Sequence, residues 1–530
     1  MSHDRRVTGS FALRWALACA VGGFFACTAL GGSIKYTDPP QGVFIDDWMR
    51  IELAGMGKVG YAHNEIARRG DEIHSSSLLS ISLSRAGQKV GVGVLQNATE
   101  TLDGTPLSFG HQMDMSAMKM SVRGVIDAGK VTVTSTQLDQ SMTRTVDYPA
   151  GAVMTWGAYL TQQKMGYKPG TRYSVKTYDP ATAINTALDV NVTVVGPQKI
   201  EIEGKPVEAI LTTQELKLPN FPTGVKSQAW LDPDGNILKT TVQLAGMNMV
   251  MVRTTRKAAM SGFSPPEFFM PTTIAIKQHF DRDALRRIDY VLAPKSKTAT
   301  FPPPPVTAMQ RAVVADDGSV KLSVTRLDRR ALRDAGAVSN TKALTEYLTA
   351  NQMINSDDPA VRKMAREARG ESTAPYEVAD KLRRYVTDNI TDKNLNVGFA
   401  TASEVCRNRE GDCSEHAVLL AALGRACGLP SRVATGVVYV PVFGGRDDIF
   451  GFHMWTQFYI GGQWVDFDAA LGQTDVDPTH IAFSVDSLAH GSLGQIAFPL
   501  VNVIGNLDLT IQRVTPPSAV RTTEQSGGQS

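Results

Sequence analysis

The chain has 530 residues, of which 42% are hydrophobic and 20% charged, proportions that exclude a disordered chain, collagen and coiled coil. With 54 Lys and Arg against 52 Asp and Glu, the net charge of +2 lacks the clustered basic excess of a dedicated nucleic-acid binder, so no nucleic-acid partner is expected. Only 5 Cys in this length cannot build a disulfide scaffold.

In chain order, residues 1–32 read first as a signal peptide or membrane anchor. Arg5, Arg6 and Arg14 precede a stretch, 15–32, that carries no charge. A basic start, an apolar run and small residues near Ala29 and Gly31 make a secretory signal. The rivals are an uncleaved anchor, since the run almost spans a bilayer, and a lipid-modified Cys27. On any of these readings the protein is exported, periplasmic or secreted, and meets a membrane only through its N-terminal segment. Cys19 and Cys27 lie in that segment, which leaves Cys406, Cys413 and Cys427 for the mature chain.

Residues 41–258 read as a β-rich antiparallel domain. Short runs rich in Val, Ile and Thr (130–136, 189–195, 199–203, 209–213, 237–244) alternate with turn signals such as Asp103-Gly104, Glu203-Gly204 and Asp234-Gly235. No titratable cluster stands out there, so a scaffold or a surface for a cell-envelope partner is expected. Pro265, Pro266 and Pro271 mark 259–272 as a linker. A small β unit, 273–335, follows, with one strand at 287–292 and a hairpin about Asp317-Gly318. Residues 302–305 are a stiff connector between them.

From 340 to 513 the period becomes helical and then returns to strand. Asp358-Pro359 starts a helix that Gly370 ends. Val378, Leu382, Tyr385 and Val386 form an apolar stripe on the next helix. From about 514 to 530 the chain is rich in Ser, Thr, Gln and Gly, as in a disordered tail.

The chemistry is concentrated after residue 405. Asp412, with Glu415 three residues on, makes a capping box, and Gly428 followed by Pro430 makes a stop. This places Cys413 at the first helical position. There the unpaired backbone N–H groups and the positive end of the helix dipole favour thiolate over thiol, and Cys413 is read as a nucleophile. A thiol nucleophile needs a base, and the base an orienting group. Downstream come a strand at 431–440, a polar loop at 443–451, a strand at 452–460, the turn Gly461-Gly462 and a strand at 463–469. If Ile460 faces Gln463, then His453 and Asp468 become diagonal neighbours on one face of the hairpin, within side-chain reach. Asp466 shares that face one step further off. His416, three residues after Cys413 on the same helix flank, is the rival base. Cys406, Cys413 and His416 lack a second ligand pair for zinc, so no metal is expected. A Cys406–Cys427 bridge and packed free thiols stand as alternatives. Trp455 and Trp464 are expected as wall or core residues.

These residues resemble the transglutaminase-like superfamily of papain-like cysteine enzymes, of an exported bacterial type, over 356–471. The resemblance is carried by Arg409-x-Gly411-Asp412-Cys413-Ser414-Glu415-His416-Ala417, by Gly428-Leu429-Pro430-Ser431-Arg432, by His453-Met454-Trp455 and by Trp464-x-x-x-Asp468. It implies an α+β fold in which a Cys-bearing helix packs on an antiparallel sheet. It also implies a Cys413–His453–Asp468 triad, which leaves His416 a structural role, and no cofactor. The expected activity is cleavage or transfer of an amide acyl group through a Cys413 thioester. A peptidase or amidase acting on a protein or peptide amide is the first reading. A protein-glutamine amine transferase is the second, and a non-catalytic cell-envelope binding protein the third.

Overall fold

A computed structural model describes residues 38–516, apart from 86–87, 116–117, 138–139, 180–185, 219–220, 245–246, 268–271, 296–302, 334–341, 394–399, 490–502 and 504–505. The N-terminal segment 1–32 and most of the tail, 517–530, lie outside the described residues. Among the described residues no helix is long and apolar enough to cross a membrane.

The fold is α+β, with a large β-rich domain ahead of a helix-on-sheet core. In the first domain, alternation of apolar and polar residues makes long strands: Leu188, Val190, Val192 and Val194 are buried while Asp189 and Val195 are exposed. Fourteen strands form one antiparallel sheet. Eight pair in succession from Gly42–Leu53 to Gln140–Asp147, and six from Arg172–Thr177 to Met247–Thr254. Gly42–Leu53 also pairs with Met247–Thr254, which joins the two runs.

A helix, Thr155–Met165, which the strand-dominated reading of 41–258 omitted, connects the two edge strands. It packs on Arg172–Thr177 at one edge and on Glu72–Arg85 and Gln88–Thr101 in the opposite arm, so the sheet curls around it. Trp156, fully buried, stacks on Tyr159 and donates its indole N–H to Leu102 O at 2.9 Å. The helix start has no side-chain cap of its own from Met154. Glu100, at 0% exposure, takes that place by accepting the N–H groups of Trp156 (2.6 Å) and Gly157 (2.9 Å).

Two further sheets carry the rest. In one, Ser431–Phe443, Arg446–Ile460 and Gln463–Phe467 form consecutive hairpins, flanked by Ile481–Asp486 and Ile274–Ala275. Residues 443–451, expected as a polar loop, are instead mostly strand: Phe443 faces Arg446 and Val440 faces Ile449. Gly444 and Gly445, both at positive φ, form the two-residue turn that makes this pairing. The other sheet joins Gln310–Val314, Val320–Thr325 and Arg287–Pro294 to Leu507–Thr515. The last strand thus returns to the small β unit and runs past residue 513.

The helices Pro359–Arg369 and Pro375–Asn389 pack against Cys413–Ala426, which lies on the hairpin sheet. Asp358 caps the first of them and Gly370 ends it, as the sequence predicts.

Replacing Glu100 by Ala strands two buried N–H groups. We expect a loss of about 3 kcal/mol, from about 1–3 kcal/mol per buried unsatisfied group, seen as a lower midpoint in urea unfolding followed by tryptophan fluorescence.

Candidate active site

The helix carrying Cys413 begins where the sequence predicts. Asp412 accepts from Ser414 N at 2.9 Å, and Glu415 reaches back to Asp412 N at 2.9 Å, completing the capping box. Glu415 also accepts Ala400 N at 2.9 Å, so one buried carboxylate ties the helix start to the chain before it. Burial and the Asp412 charge push the Glu415 carboxyl above the usual range, against these N–H bonds. At the other end Gly428, at φ +79°, lets Leu429 N bond Gly424 O and its own N–H bond Arg425 O. That is the left-handed stop expected there.

The helix lies on the strand that bears His453. Thr456 Oγ1 donates to Ala417 O at 2.9 Å. A Cβ on Gly424 would come within 2.1 Å of the Phe458 ring, so glycine is what permits the approach. Cys413 is 2% and His453 3% exposed.

The hairpin register also matches the expectation. Ile460 faces Gln463 and Thr456 faces Phe467, so Asp468 follows on the face of Trp455 and His453. His453 Nε2 lies 2.6 Å from Asp468 Oδ2. With the carboxylate accepting at Nε2–H, the neutral ring keeps its lone pair on Nδ1. Nδ1 is buried and has no hydrogen-bond partner among the described residues. Asp466 stays apart from this pair, accepting Trp455 Nε1 (2.6 Å) and Gln457 Nε2 (2.8 Å). Trp455 is buried in the core, and Trp464 carries the Arg432 guanidinium 4.1 Å above its ring, so both are packing residues.

His416 is near but engaged otherwise. Its Nδ1 donates to Asp412 O at 2.6 Å, and burial lowers its pKa to about 4, leaving a neutral ring. The Asp468 charge acts on His416 in the opposite direction to burial, without reversing the shift. Cys406 and Cys427 are not bridged; burial pushes both thiols up.

His480 is the site residue that the sequence reading missed. Its Nε2 lies 3.0 Å from the same Asp468 Oδ2. Burial would lower its pKa, but hydrogen bonds and charge from Asp468 and Asp477 raise it to about 9. Burial likewise opposes ionisation of Asp468, and the charge and hydrogen bonds of His453 and His480 hold it well below the usual carboxylate range. Among the described residues, His453, Asp468 and His480 bring potential metal-binding atoms within 4.8 Å of one another. Their 2.6 and 3.0 Å separations are N–H···O lengths, so hydrogen bonding accounts for the grouping.

Residues 362–469 match the model of the transglutaminase-like superfamily. They form a transglutaminase-like domain. The superfamily is in general one of cysteine-based enzymes. Three solved structures show similarity to parts of the chain. A candidate cysteine protease from Cytophaga hutchinsonii is 15% identical, covers 44% of this chain and 85% of its own, and has a TM-score of 0.28. The periplasmic domain of TgpA from Pseudomonas aeruginosa is 16% identical, with coverages of 40% and 87% and a TM-score of 0.25. A β-barrel-like protein from Brucella abortus is 10% identical, with coverages of 43% and 98% and a TM-score of 0.31. No curated protein matches the chain.

The pKa directions in the transglutaminase-like domain fix a pH dependence. His480 is raised on folding, so its stabilisation is complete below its unfolded value and is lost as pH rises through about 9. Asp468 is lowered, so its contribution is lost as pH falls below the ordinary carboxylate range. Between about pH 6.5 and 9 we expect the domain to lose up to about 3 kcal/mol. Urea midpoints measured across that window check it, and the slope should be shallower in His480→Gln.

Proposed function

We propose that the protein is an exported cysteine enzyme that transfers an amide acyl group through a thioester on Cys413. The observation that carries the reading is the buried 2.6 Å bond from His453 Nε2 to Asp468, which leaves His453 Nδ1 without a hydrogen bond among the described residues, on the strand that packs on the Cys413 helix.

In this reading Cys413 is the nucleophile. Its position at a capped helix start favours the thiolate. The thiolate attacks the amide carbonyl, forming the C–S bond. His453, as imidazolium, gives its Nδ1 proton to the nitrogen of the leaving amine as the C–N bond breaks. Water or a second amine then attacks the thioester, His453 takes the proton from that nucleophile, and Cys413 leaves as thiolate. Asp468 fixes the ring and its tautomer throughout. The backbone N–H of Cys413, at the helix start, is the donor assigned to the oxyanion.

Hydrolysis of a protein or peptide amide is the first assignment and transfer to an amine the second, since both share every step up to the thioester. The β-rich domain is assigned a cell-envelope partner, and the N-terminal segment the export signal or anchor. A non-catalytic reading, with a structural Cys domain, draws on the low exposure of Cys413.

Alkylation by iodoacetamide, read by peptide mass spectrometry, separates these. We expect Cys413 to label below pH 7 in wild type while Cys406 and Cys427, whose thiols are pushed up by burial, label only at high pH. The Cys413 profile should change in His453→Ala and Asp468→Asn. Labelling of Cys413 only near the ordinary thiol pKa, unchanged in both variants, sinks the enzyme reading. If it holds, a screen of peptide amides with and without added amine distinguishes hydrolase from transferase.

A further inference from the structure

Asp468 receives two imidazoles on one oxygen: His453 Nε2 at 2.6 Å and His480 Nε2 at 3.0 Å both meet Oδ2. The acyl-transfer reading uses only the first. His480 is nonetheless built into the site with more contacts than a core histidine needs. Its other nitrogen, Nδ1, faces the Asp477 carbonyl at 3.3 Å and the Asp477 carboxylate at 3.8 Å. Asp477 in turn accepts Thr479 N at 2.8 Å and Gln473 Nε2 at 2.7 Å. Gln473 returns to Asp468 through a pair of backbone bonds, Asp468 N to Gln473 O at 2.9 Å and Gln473 N to Asp468 O at 2.7 Å. Asp468, Gln473, Asp477 and His480 therefore close a ring of hydrogen bonds, all of it within one turn of chain.

The ring is buried and braced. His480 and Asp468 side chains are each 1% exposed and that of Asp477 is 0%. The Trp455 ring meets His480 edge-on at 5.2 Å, and the His453 ring meets it at 5.9 Å. From the small β unit, Tyr290 OH donates to Pro478 O at 3.0 Å and holds the turn. The titratable groups facing His480 are thus Asp477 on its own turn, Asp468 and His453 from the hairpin, and Tyr290, whose hydroxyl is uncharged because burial raises its pKa well above the ordinary value. One imidazole nitrogen on a buried carboxylate at 3.0 Å, with the other on a carbonyl and a second carboxylate 3.8 Å away, holds that imidazole as a cation.

We infer that His480 is a positioning residue of the site, which shares the charge of Asp468 with His453 and thereby sets the pH at which His453 gives up its proton. The inference rests on the acyl-transfer reading. A cation on the far side of the carboxylate leaves less of its charge for His453 and repels the His453 imidazolium. With His480 removed, His453 has Asp468 to itself and keeps its proton to higher pH. With His480 present, His453 is a readier proton donor to a leaving amine.

The test is the rate of Cys413 alkylation by iodoacetamide from pH 4 to 10 in wild type, His453→Ala, His480→Gln and His480→Phe, with a thermal melt of each. The limb of the wild-type profile that vanishes in His453→Ala reports the His453 proton. In His480→Gln, which can still donate to Asp468 but carries no charge, we expect that limb to move up by about one pH unit. A residue that only fills space would lower the melting temperature and leave the limb in place. An unmoved limb in folded His480→Gln and His480→Phe overturns the inference while the acyl-transfer reading stands. A wild-type profile with no His453-dependent limb overturns that reading, and this inference with it. One measurement needs no variant: long-range ¹H–¹⁵N spectra of ¹⁵N-histidine-labelled wild type. Both nitrogens of His480 protonated at pH 7.5 supports the inference, and a neutral ring overturns it.

Discussion

Asp468 is a carboxylate with no exposed surface, and an ionised group in that position must be met by hydrogen-bond donors or it takes up a proton. Here the donors come from three directions. His453 reaches it across the hairpin, His480 from the turn that leads into Ile481–Asp486, and Leu471 N closes on Oδ1 at 2.9 Å. Much of the local architecture follows from this requirement. Gln463–Phe467 stops just before Asp468, so the chain can turn and bring Leu471 and Gln473 back to it. Two imidazoles in place of one allow the charge to be kept in a site from which water is nearly excluded.

A second buried acidic side chain, Glu415, anchors the other half of the site. Glu415 accepts Asp412 N and Ala400 N, so the first turn of the Cys helix is fixed both to its own cap and to the chain two residues ahead of Ala402–Asn408. Asp412, Ser414 and Glu415 share hydrogen bonds among themselves, with Ser414 Oγ donating to Asp412 at 2.6 Å and to Glu415 at 3.1 Å. Cys413 is thereby held at the helix start by polar groups, while the remaining length of the helix is held by apolar packing. Leu419, Leu420 and Leu423 are fully or almost fully buried. A change on the buried leucines loosens the body of the helix, and a change on Glu415 strands two buried N–H groups at its start.

What the sequence made legible is what local rules decide. The capping box at Asp412 and Glu415, the left-handed Gly428 and the Gly461-Gly462 turn each depend on neighbours within a few residues, and from the last of these the diagonal placement of His453 and Asp468 follows by counting. The 443–451 stretch reads as a loop because Arg446, Asp447 and Asp448 are charged, although Gly444-Gly445 is a turn signal of the same kind as Gly461-Gly462. His480 was missed for another reason. It meets Asp468 across an irregular turn, where no period relates the two positions. The pairing of Leu507–Thr515 with Arg287–Pro294 is likewise beyond local rules, since some two hundred residues separate the strands. The helix Thr155–Met165 carries mixed residues on all sides and is capped by Glu100 from a distant strand, so its own sequence announces neither its face nor its start.

That long-range pairing changes how the site is held together. The small β unit is closed by a strand that follows the transglutaminase-like domain, and it meets that domain through specific polar contacts. Gln310 bonds Ala482 in both directions, with Nε2 donating to Ala482 O at 2.9 Å and Oε1 accepting Ala482 N at 3.0 Å. Ala482 is two residues from His480, and Tyr290 holds Pro478 on the other side of it. The side-chain amide of Gln310 thus acts as a short extra strand beside Ile481–Asp486. On the other flank of the same sheet, Ile274–Ala275 pairs with the strand that bears His453. Of the two imidazoles that meet at Asp468, His453 is set on a strand and His480 just ahead of one, and both strands have outer neighbours from residues ahead of the helical region. The unit that reads as a connector in the sequence supplies the outer support of the site.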